Sequence, residues 1–381
     1  MNFDYSEEQL MIKKAARDYA QRELFKDVIE RDTKAIYPTE HVKNIAQLGF
    51  LGMLISPEYG GVGVDNVSYT LALEEISKVD SSIAVIMSVH NSLTAYGIEN
   101  FGSKEQKEKY LPLMASGEKI GAFLLSEPDA GSDASFQKTT AVDNGDHYLL
   151  NGIKNWITSA NTGGVYIVIA QTWPEKGSKG INAFIVDRNS KGITVGPHED
   201  KMGMRSSDTH SVMFSDVIVP KENRIGEDGF GFKFAMKLLE GGRIGISAQA
   251  LGIAGGAYEL ALKYSKERKT FGTEIINHQA IAFKLAEMAA SIESARLLVH
   301  KAAWLKDNHQ PYGTASAIAK LVATNVAMQV TTEAVQIHGG YGYVKEYHVE
   351  RLMREAKLTQ IYEGTSEIQK IIIARSISRD C

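Results

Sequence analysis

The sequence predicts a mainly α-helical protein with a central β domain, and three observations predict it. Apolar residues recur at helical spacing from Ser6 to about Gly117. Short β-branched runs separated by turn residues replace that pattern from about Ile120 to about Gly226, and a helical period returns in long stretches after Phe230. The expected organisation is an N-terminal helical bundle over residues 1–119, a barrel-like or sandwich β domain over 120–227, and a C-terminal four-helix-bundle domain over 228–381. A chain of 381 residues exceeds the usual size of one hydrophobic core, and an apolar content of 44% suffices for two or three packed units.

Each element has a local reason. Ser6…Gln9 and Ser103…Gln106 have the spacing of capping boxes, which start helices by satisfying their first free N–H groups. Tyr59-Gly60-Gly61-Val62-Gly63 reads as a bend. Strands are expected at 165–170, 183–186 and 211–214, mostly with antiparallel neighbours, because Asp143-Asn144-Gly145-Asp146 and Glu175-Lys176-Gly177-Ser178 are turn sequences. Helices are expected over 231–265, 278–307, 311–338, 349–356 and 366–377. Gly252 and Gly256 form a G-x-x-x-G pair, which in a soluble helix means close approach of a neighbouring backbone.

Several function classes are disfavoured. A net charge of −4 and a pI near 6.2 argue against a nucleic-acid partner. The one cysteine, Cys381, excludes an intramolecular disulfide and fits a reducing interior. The start Met1-Asn2-Phe3-Asp4 has neither a signal-peptide nor a transit-peptide pattern. The expected location is therefore the cytoplasm of a bacterial cell, or the mitochondrial matrix if the chain is a mature eukaryotic form. The run 244–262 is interrupted by Ser247, Gln249 and Glu259 and fails as a membrane span, so no membrane insertion is expected. Histidines are scattered without a ligand cluster, so no metal is expected. Gly97…Gly102-Ser103-Lys104 has the last two residues of a phosphate loop exchanged, and no nucleophile elbow exists.

The segment that carries chemistry is Gln360-Ile361-Tyr362-Glu363-Gly364-Thr365-Ser366-Glu367-Ile368-Gln369. Gly364 permits backbone angles forbidden to other residues, and Ser366 with Gln369 reads as a capping box, so a helix should begin just after Glu363. That carboxylate is a candidate general base. Burial would raise its pKa and the adjacent helix N-terminus would lower it, and the residues leave that balance open. Taken alone, a solvated loop acid is the commoner meaning of such a residue.

Three further segments precede it in fixed order: Phe123-Leu124-Leu125-Ser126-Glu127-Pro128-Asp129-Ala130-Gly131-Ser132-Asp133, Asn155-Trp156-Ile157-Thr158-Ser159 and Glu267-Arg268-Lys269-Thr270-Phe271-Gly272. With Tyr362-Glu363-Gly364-Thr365 they resemble the acyl-CoA dehydrogenase family, most closely its short-chain, butyryl-CoA type, from about Phe3 to about Arg375. The resemblance implies FAD as cofactor, with flavin N5 taking the β-hydride of an acyl-CoA while Glu363 removes the α-proton. It also implies a hydrogen bond from the Glu363 backbone N–H to the thioester oxygen.

By the same resemblance, Phe123, Leu125, Ser126, Trp156 and Thr158 meet the flavin ring, and Ser132 meets both FAD and the CoA arm. Arg268, Thr270, Phe271, Gln279, Gln336, Gly339 and Gly340 match positions that hold the FAD diphosphate and adenosine across a subunit boundary, and Thr365 and Glu367 touch the adenosine portion. This implies a homotetramer, a dimer of dimers. Glu240, Arg243, Tyr362 and Gly364 match substrate-proximal positions; position 240 departs from the family's usual aspartate. Relatives of the long-chain and isovaleryl type place their base at the position held here by Gly242, which leaves Glu363 as the family base. The implied reaction is dehydrogenation of a short-chain acyl-CoA with electrons passed to an electron-transfer flavoprotein. The alternatives are an acyl-CoA oxidase, whose long C-terminal extension is absent from these residues, a branched-chain dehydrogenase, or a non-catalytic scaffold of the same fold.

Overall fold

The computed structural model describes residues 4–378; Phe3 and Cys381 lie outside them. The first helices are α1 (Glu7–Arg22), α2 (Val28–Lys34), α3 (Thr39–Gln47), α4 (Asn66–Ser77), α5 (Ser81–Ser88), α6 (Tyr96–Phe101) and α7 (Lys104–Ala115). Both expected capping boxes are present: Ser6 and Gln9 exchange hydrogen bonds at the start of α1, and Ser103 and Gln106 do so at the start of α7. The second of these disposes of the phosphate-loop reading. Helix α4 packs between α1, α8 (Gly231–Glu267) and α9 (Gln279–Asp307) and is buried around nearly its whole circumference. Between α5 and α6 the chain runs through a buried π-helical segment, Val89–Ala95.

The strands are β1 (Gly121–Leu124), β2 (Thr140–Asp143), β3 (His147–Thr158), β4 (Val165–Gln171), β5 (Ile181–Asp187), β6 (Ile193–His198), β7 (Thr209–Pro220) and β8 (Arg224–Ile225). They form one sheet in the order β6-β7-β3-β2-β4-β5-β8, with β1 paired in parallel to β4. The sheet does not close, which corrects the barrel-like expectation: β6 and β8 remain its two ends. A helix covers the face at β4 and β5. The start of α8 rests so closely on β5 that a Cβ on Gly231 would stand 2.3 Å from the backbone carbon of Asn182.

The last helices are α8 (Gly231–Glu267), α9 (Gln279–Asp307), α10 (Gly313–His338), α11 (His348–Thr359) and α12 (Ser366–Ile377); a small hairpin, β9 (Lys269–Thr270) and β10 (Thr273–Glu274), joins α8 to α9. Helices α8, α9 and α10 pack on one another, α11 lies against α8 and α10, and α12 lies on α10. One arginine of α11 ties three parts of the chain together. Arg354 pairs with Asp32 at 2.7 Å, donates to the Met202 carbonyl at 2.8 Å and pairs with Glu350 on its own helix at 2.7 Å. Beside it, Arg351 and Glu355 form a fully buried ion pair at 2.8 Å, and Arg351 also donates to the Val79 carbonyl at 2.7 Å. Among the described residues no helix is long and apolar enough to cross a membrane.

The G-x-x-x-G pair of α8 is a seat for another backbone. A Cβ on Gly252 would lie 2.3 Å from the carbonyl oxygen of Glu74, and one on Gly256 would lie 2.2 Å from that of Lys78. Main-chain carbonyls at the end of a buried helix cannot step aside as a side chain can. Gly256→Val is therefore expected to lower stability by about 1–3 kcal/mol or more in urea unfolding; an unchanged midpoint would show that α4 and α8 do not pack this tightly.

Candidate active site

Glu363 sits in the connector 360–365 between α11 and α12, in the left-handed region at φ 50°, followed by Gly364 at φ 91°. A left-handed glutamate is strained by roughly 1–2 kcal/mol, so its surroundings must hold it. They do so at one carbonyl. Lys320 Nζ on α10 donates to the Gly364 oxygen at 2.6 Å, and Gln369 Nε2 on α12 donates to the same oxygen at 2.7 Å. The preceding residue is pinned as well: the Tyr362 hydroxyl donates to the side-chain oxygen of Gln249, whose amide nitrogen donates to Ser81 O at 2.8 Å.

The helix begins at Ser366 as expected, but its cap is not the Ser366–Gln369 box. Thr365 is the N-cap residue, its hydroxyl accepting from the Ile368 N–H. The Gln369 amide is turned back onto the Gly364 carbonyl, so it is unavailable to a box.

The carboxylate of Glu363 is buried, and neither of its oxygens has a hydrogen-bond partner among the described residues. It is not a solvated loop acid. Its position explains Gly242: a Cβ there would lie 2.2 Å from Glu363 Oε2 and 2.9 Å from Leu93 Cδ2, so this carboxylate and a side chain at 242 exclude one another. Burial raises the Glu363 pKa to about 7, against the opposing pull of the Lys320 and Arg243 charges. Burial also lowers Lys320 to about 8 and lowers Arg243, whose other influential neighbours are Glu240, Glu363 and Tyr312. Arg243 Nε is buried without a partner among the described residues. Glu240 stands beside the start of α10, where a Cβ on Gly313 would meet its carboxylate at 3.2 Å. Tyr362, Gly364, Gly242 and Arg243 thus gather around Glu363, with Glu240 next to Arg243.

A second group joins β1 to β3. Asn155 N donates to Ser126 O at 2.9 Å, and the fully buried Lys154 donates to Leu125 O at 3.1 Å and pairs with Glu127 at 2.7 Å. Glu127 in turn accepts from Lys138 N at 2.6 Å and Thr139 N at 3.1 Å, which ties the loop carrying Ser132 to the same ion pair. Phe123, Leu125, Ser126 and Thr158 line up at these strand ends. Trp156 is 64% exposed at φ 62°, which makes it a presented aromatic face and not a core residue. Ser132 is exposed.

A third group lines a cavity of about 580 Å³: Arg268, Thr270, Gly339 and Gly340, with Tyr264 and Tyr341. The Arg268 guanidinium lies 5.7 Å from the centre of the Tyr341 ring. Phe271, Gln279 and Gln336 do not line it; all three are exposed, Phe271 by 98%. Thr365 serves as the α12 cap and Glu367 is exposed on that helix. Among the described residues no group of three or more His, Cys, Asp or Glu side chains is placed to hold a metal ion.

Family models match the chain in three consecutive pieces: the acyl-CoA dehydrogenase N-terminal domain over residues 6–118, the middle domain over 122–217 and the C-terminal domain over 229–378. The chain belongs to the acyl-CoA dehydrogenase family. It is 50% identical over 379 residues to the short-chain specific acyl-CoA dehydrogenase of Clostridium acetobutylicum, covering 100% of both chains. Its fold matches butyryl-CoA dehydrogenase from Megasphaera elsdenii with a TM-score of 0.98 at 48% identity, over 100% of both chains. It matches equally, at TM-score 0.98, 49% identity and full coverage, a chain in a structure of the electron transferring flavoprotein of Acidaminococcus fermentans. This acyl-CoA dehydrogenase is an oxidoreductase of a flavoprotein family, and its residues fit a flavin dinucleotide. The guanidinium of Arg268 suits a diphosphate, a Cβ on Gly339 or Gly340 would meet no atom within 4 Å, and the exposed indole of Trp156 suits an aromatic ring.

Sequence reasoning missed Lys320, Gln249 and the Lys154–Glu127 pair. Lys320 had a signal, a lone charge inside Ala317-Ile318-Ala319-Lys320-Leu321-Val322-Ala323. Gln249 and Lys154 had none, because their partners are distant in sequence.

The raised pKa of Glu363 gives a stability prediction with a definite sign. Between its ordinary value of 4.5 and about 7 the folded protein holds a proton that the unfolded chain releases, so this residue's contribution falls as pH rises through that window. Glu363→Gln has no charge to bury. It should be more stable than the parent by roughly 2–4 kcal/mol at about pH 8 and equal to it near pH 4. Thermal melting at the two pH values checks this, and equal melting at both would mean that the carboxylate is not desolvated.

Proposed function

We propose that the protein catalyses FAD-dependent α,β-dehydrogenation of a short-chain acyl-CoA to the trans-2-enoyl-CoA, with Glu363 as the base that removes the α-proton. The observation that carries this reading is a buried carboxylate without hydrogen-bond partners whose pKa is raised to about 7. A base is most effective when its pKa lies near the working pH, where it is both ionised and able to hold the proton it takes. FAD, when bound, supplies the two-electron acceptor for the β-hydride, which no side chain could provide.

The chain's own residues do the rest. Glu363 receives the α-proton on a carboxylate oxygen that no internal hydrogen bond competes for. The left-handed turn at Glu363 and Gly364 fixes the direction of that carboxylate, and Gly242 leaves room for it. Tyr362, held by Gln249, and Leu93, beside Gly242, help to close the base off from water. The Glu363 backbone N–H would bond the thioester oxygen and stabilise the enolate-like charge as the proton leaves. Trp156, Ser126 and Thr158 would hold the flavin ring, and Arg268, Thr270, Gly339 and Gly340 the diphosphate end. The exposure of Phe271 beside that cavity supports completion of the cofactor site by a neighbouring subunit in a homotetramer. The short-chain preference is supported by the named relatives, and electron transfer to an electron-transfer flavoprotein by the match to a chain from such a structure.

Three outcomes are expected. Anaerobic mixing with butyryl-CoA should bleach the flavin of the parent protein faster than mixing with octanoyl-CoA. In Glu363→Gln the flavin and acyl-CoA still bind, while bleaching slows by about 10⁴-fold or more, at or beyond the upper end of general-base effects. Bleaching of that variant at the parent rate would remove Glu363 from the role. Arg268→Ala should lose FAD on dilution, its binding weakened by roughly 1.5–3 kcal/mol through loss of a charge-assisted hydrogen bond. Full retention of FAD would move the diphosphate elsewhere.

A further inference from the structure

We propose that Lys320 is a positioning residue for the base: its ammonium grips the Gly364 carbonyl, fixes the left-handed turn that aims Glu363, and stands close enough to keep that carboxylate ionised. The proposal rests on the reading of Glu363 as the base.

The geometry is unusual for a lysine. Lys320 is 1% exposed in the middle of α10, within an otherwise apolar run, where an ammonium is costly unless compensated. Among the described residues its Nζ donates to a single acceptor, the neutral Gly364 oxygen at 2.6 Å. Gln369 already supplies that oxygen with a neutral donor at 2.7 Å. A second donor for the turn alone would not need a charge. What the charge does is oppose the desolvation of Glu363.

The titratable groups around this point come from four directions: Glu363 and Tyr362 from the connector, Arg243 from α8, Lys320 from α10 and Tyr69 from α4. Arg243 is itself influenced by Glu240 and Tyr312. Lys320 is the largest influence holding the Glu363 pKa down against burial, ahead of Arg243. Without the ammonium, Glu363 would titrate above its present value of about 7 and be mostly protonated at neutral pH, unable to take a proton. A direct ion pair would have the opposite fault, because it would depress the pKa and weaken the base. Tethering the ammonium to the next residue's carbonyl gives an intermediate field and fixes the geometry with the same contact.

The test compares Lys320→Met and Lys320→Gln with the parent, all as purified flavin-loaded protein. The Glu363 carboxyl carbon is followed by ¹³C NMR titration, its signal identified by its absence from Glu363→Gln. In both variants the Glu363 pKa is expected to rise by about one unit or more, roughly a fivefold or greater loss of ionised base at neutral pH. The lower limb of the kcat profile should move upward by the same amount, with the KM for butyryl-CoA within about twofold of the parent. In both variants activity should recover only in part at about pH 9, because the base ionises again there while the turn has lost one of its two donors. A purely structural lysine would leave the titration and the profile in place. An unmoved Glu363 pKa in either folded variant overturns the proposal, and so does failure of both to fold, which would assign Lys320 to stability. Failure of the base reading shows separately, as flavin reduction by Glu363→Gln, and leaves a shifted titration interpretable.

Discussion

The carboxylate of Glu363 is held out of water against Gly242 and Leu93 with no hydrogen bond to either oxygen among the described residues, and the neighbouring structure compensates for that. A buried, unpartnered carboxylate is unfavourable to the fold, yet the same desolvation brings its pKa into the range of a useful base. Two buried cations, Lys320 and Arg243, offset part of the penalty through the field alone. The site is a balance between burial, which pushes the proton on, and those charges, which push it off.

Holding that balance requires a turn that cannot drift. The left-handed pair at 363 and 364 is locked from α10 through Lys320, from α12 through Gln369, and from α8 through Gln249 and Tyr362. Helix α8 is placed by backbone-close packing, through Gly252 and Gly256 against the end of α4 and through Gly231 against β5. Helix α11, which delivers the connector, is anchored by Arg354 to α2 and to the segment after β6, and by Arg351 to the Val79 carbonyl. Removing one partner of such buried ion pairs leaves the other uncompensated, which is how a change far from Glu363 can reach it. The strand-end residues around Trp156 are fixed by the same device on a smaller scale, with Lys154 of β3 and Glu127 of the loop after β1 adding a buried ion pair to the Asn155–Ser126 backbone bond.

Much of this was legible in order along the chain. The helix, sheet and helix sequence, both early capping boxes and the meaning of the G-x-x-x-G pair follow from local periodicity and short-range hydrogen bonding, which depend on residues within one or two turns. The open sheet was not legible, because closure depends on whether the end strands β6 and β8 meet, and such long-range pairing leaves no local pattern in the sequence. The cap at Thr365 was missed for a related reason. A Ser-x-x-Gln spacing predicts a box only if the glutamine is free, and here its amide is engaged by the Gly364 carbonyl five residues back.

For the site, the sequence by itself determined which residue could be the base and which motifs accompany it, since glycine after glutamate and absence of a side chain at 242 are properties of the chain. It could not determine whether Glu363 is ionised, because desolvation and the helix N-terminus act on a carboxylate with opposite sign. Only the tertiary structure decided that burial prevails, and only it brought Lys320 and Arg243 near enough to limit the shift. The reason is physical: a pKa is set by the groups within a few ångströms in space, and around Glu363 those groups come from positions 243, 320 and 363, which chain order keeps apart and the packing of α8, α10 and the connector brings together.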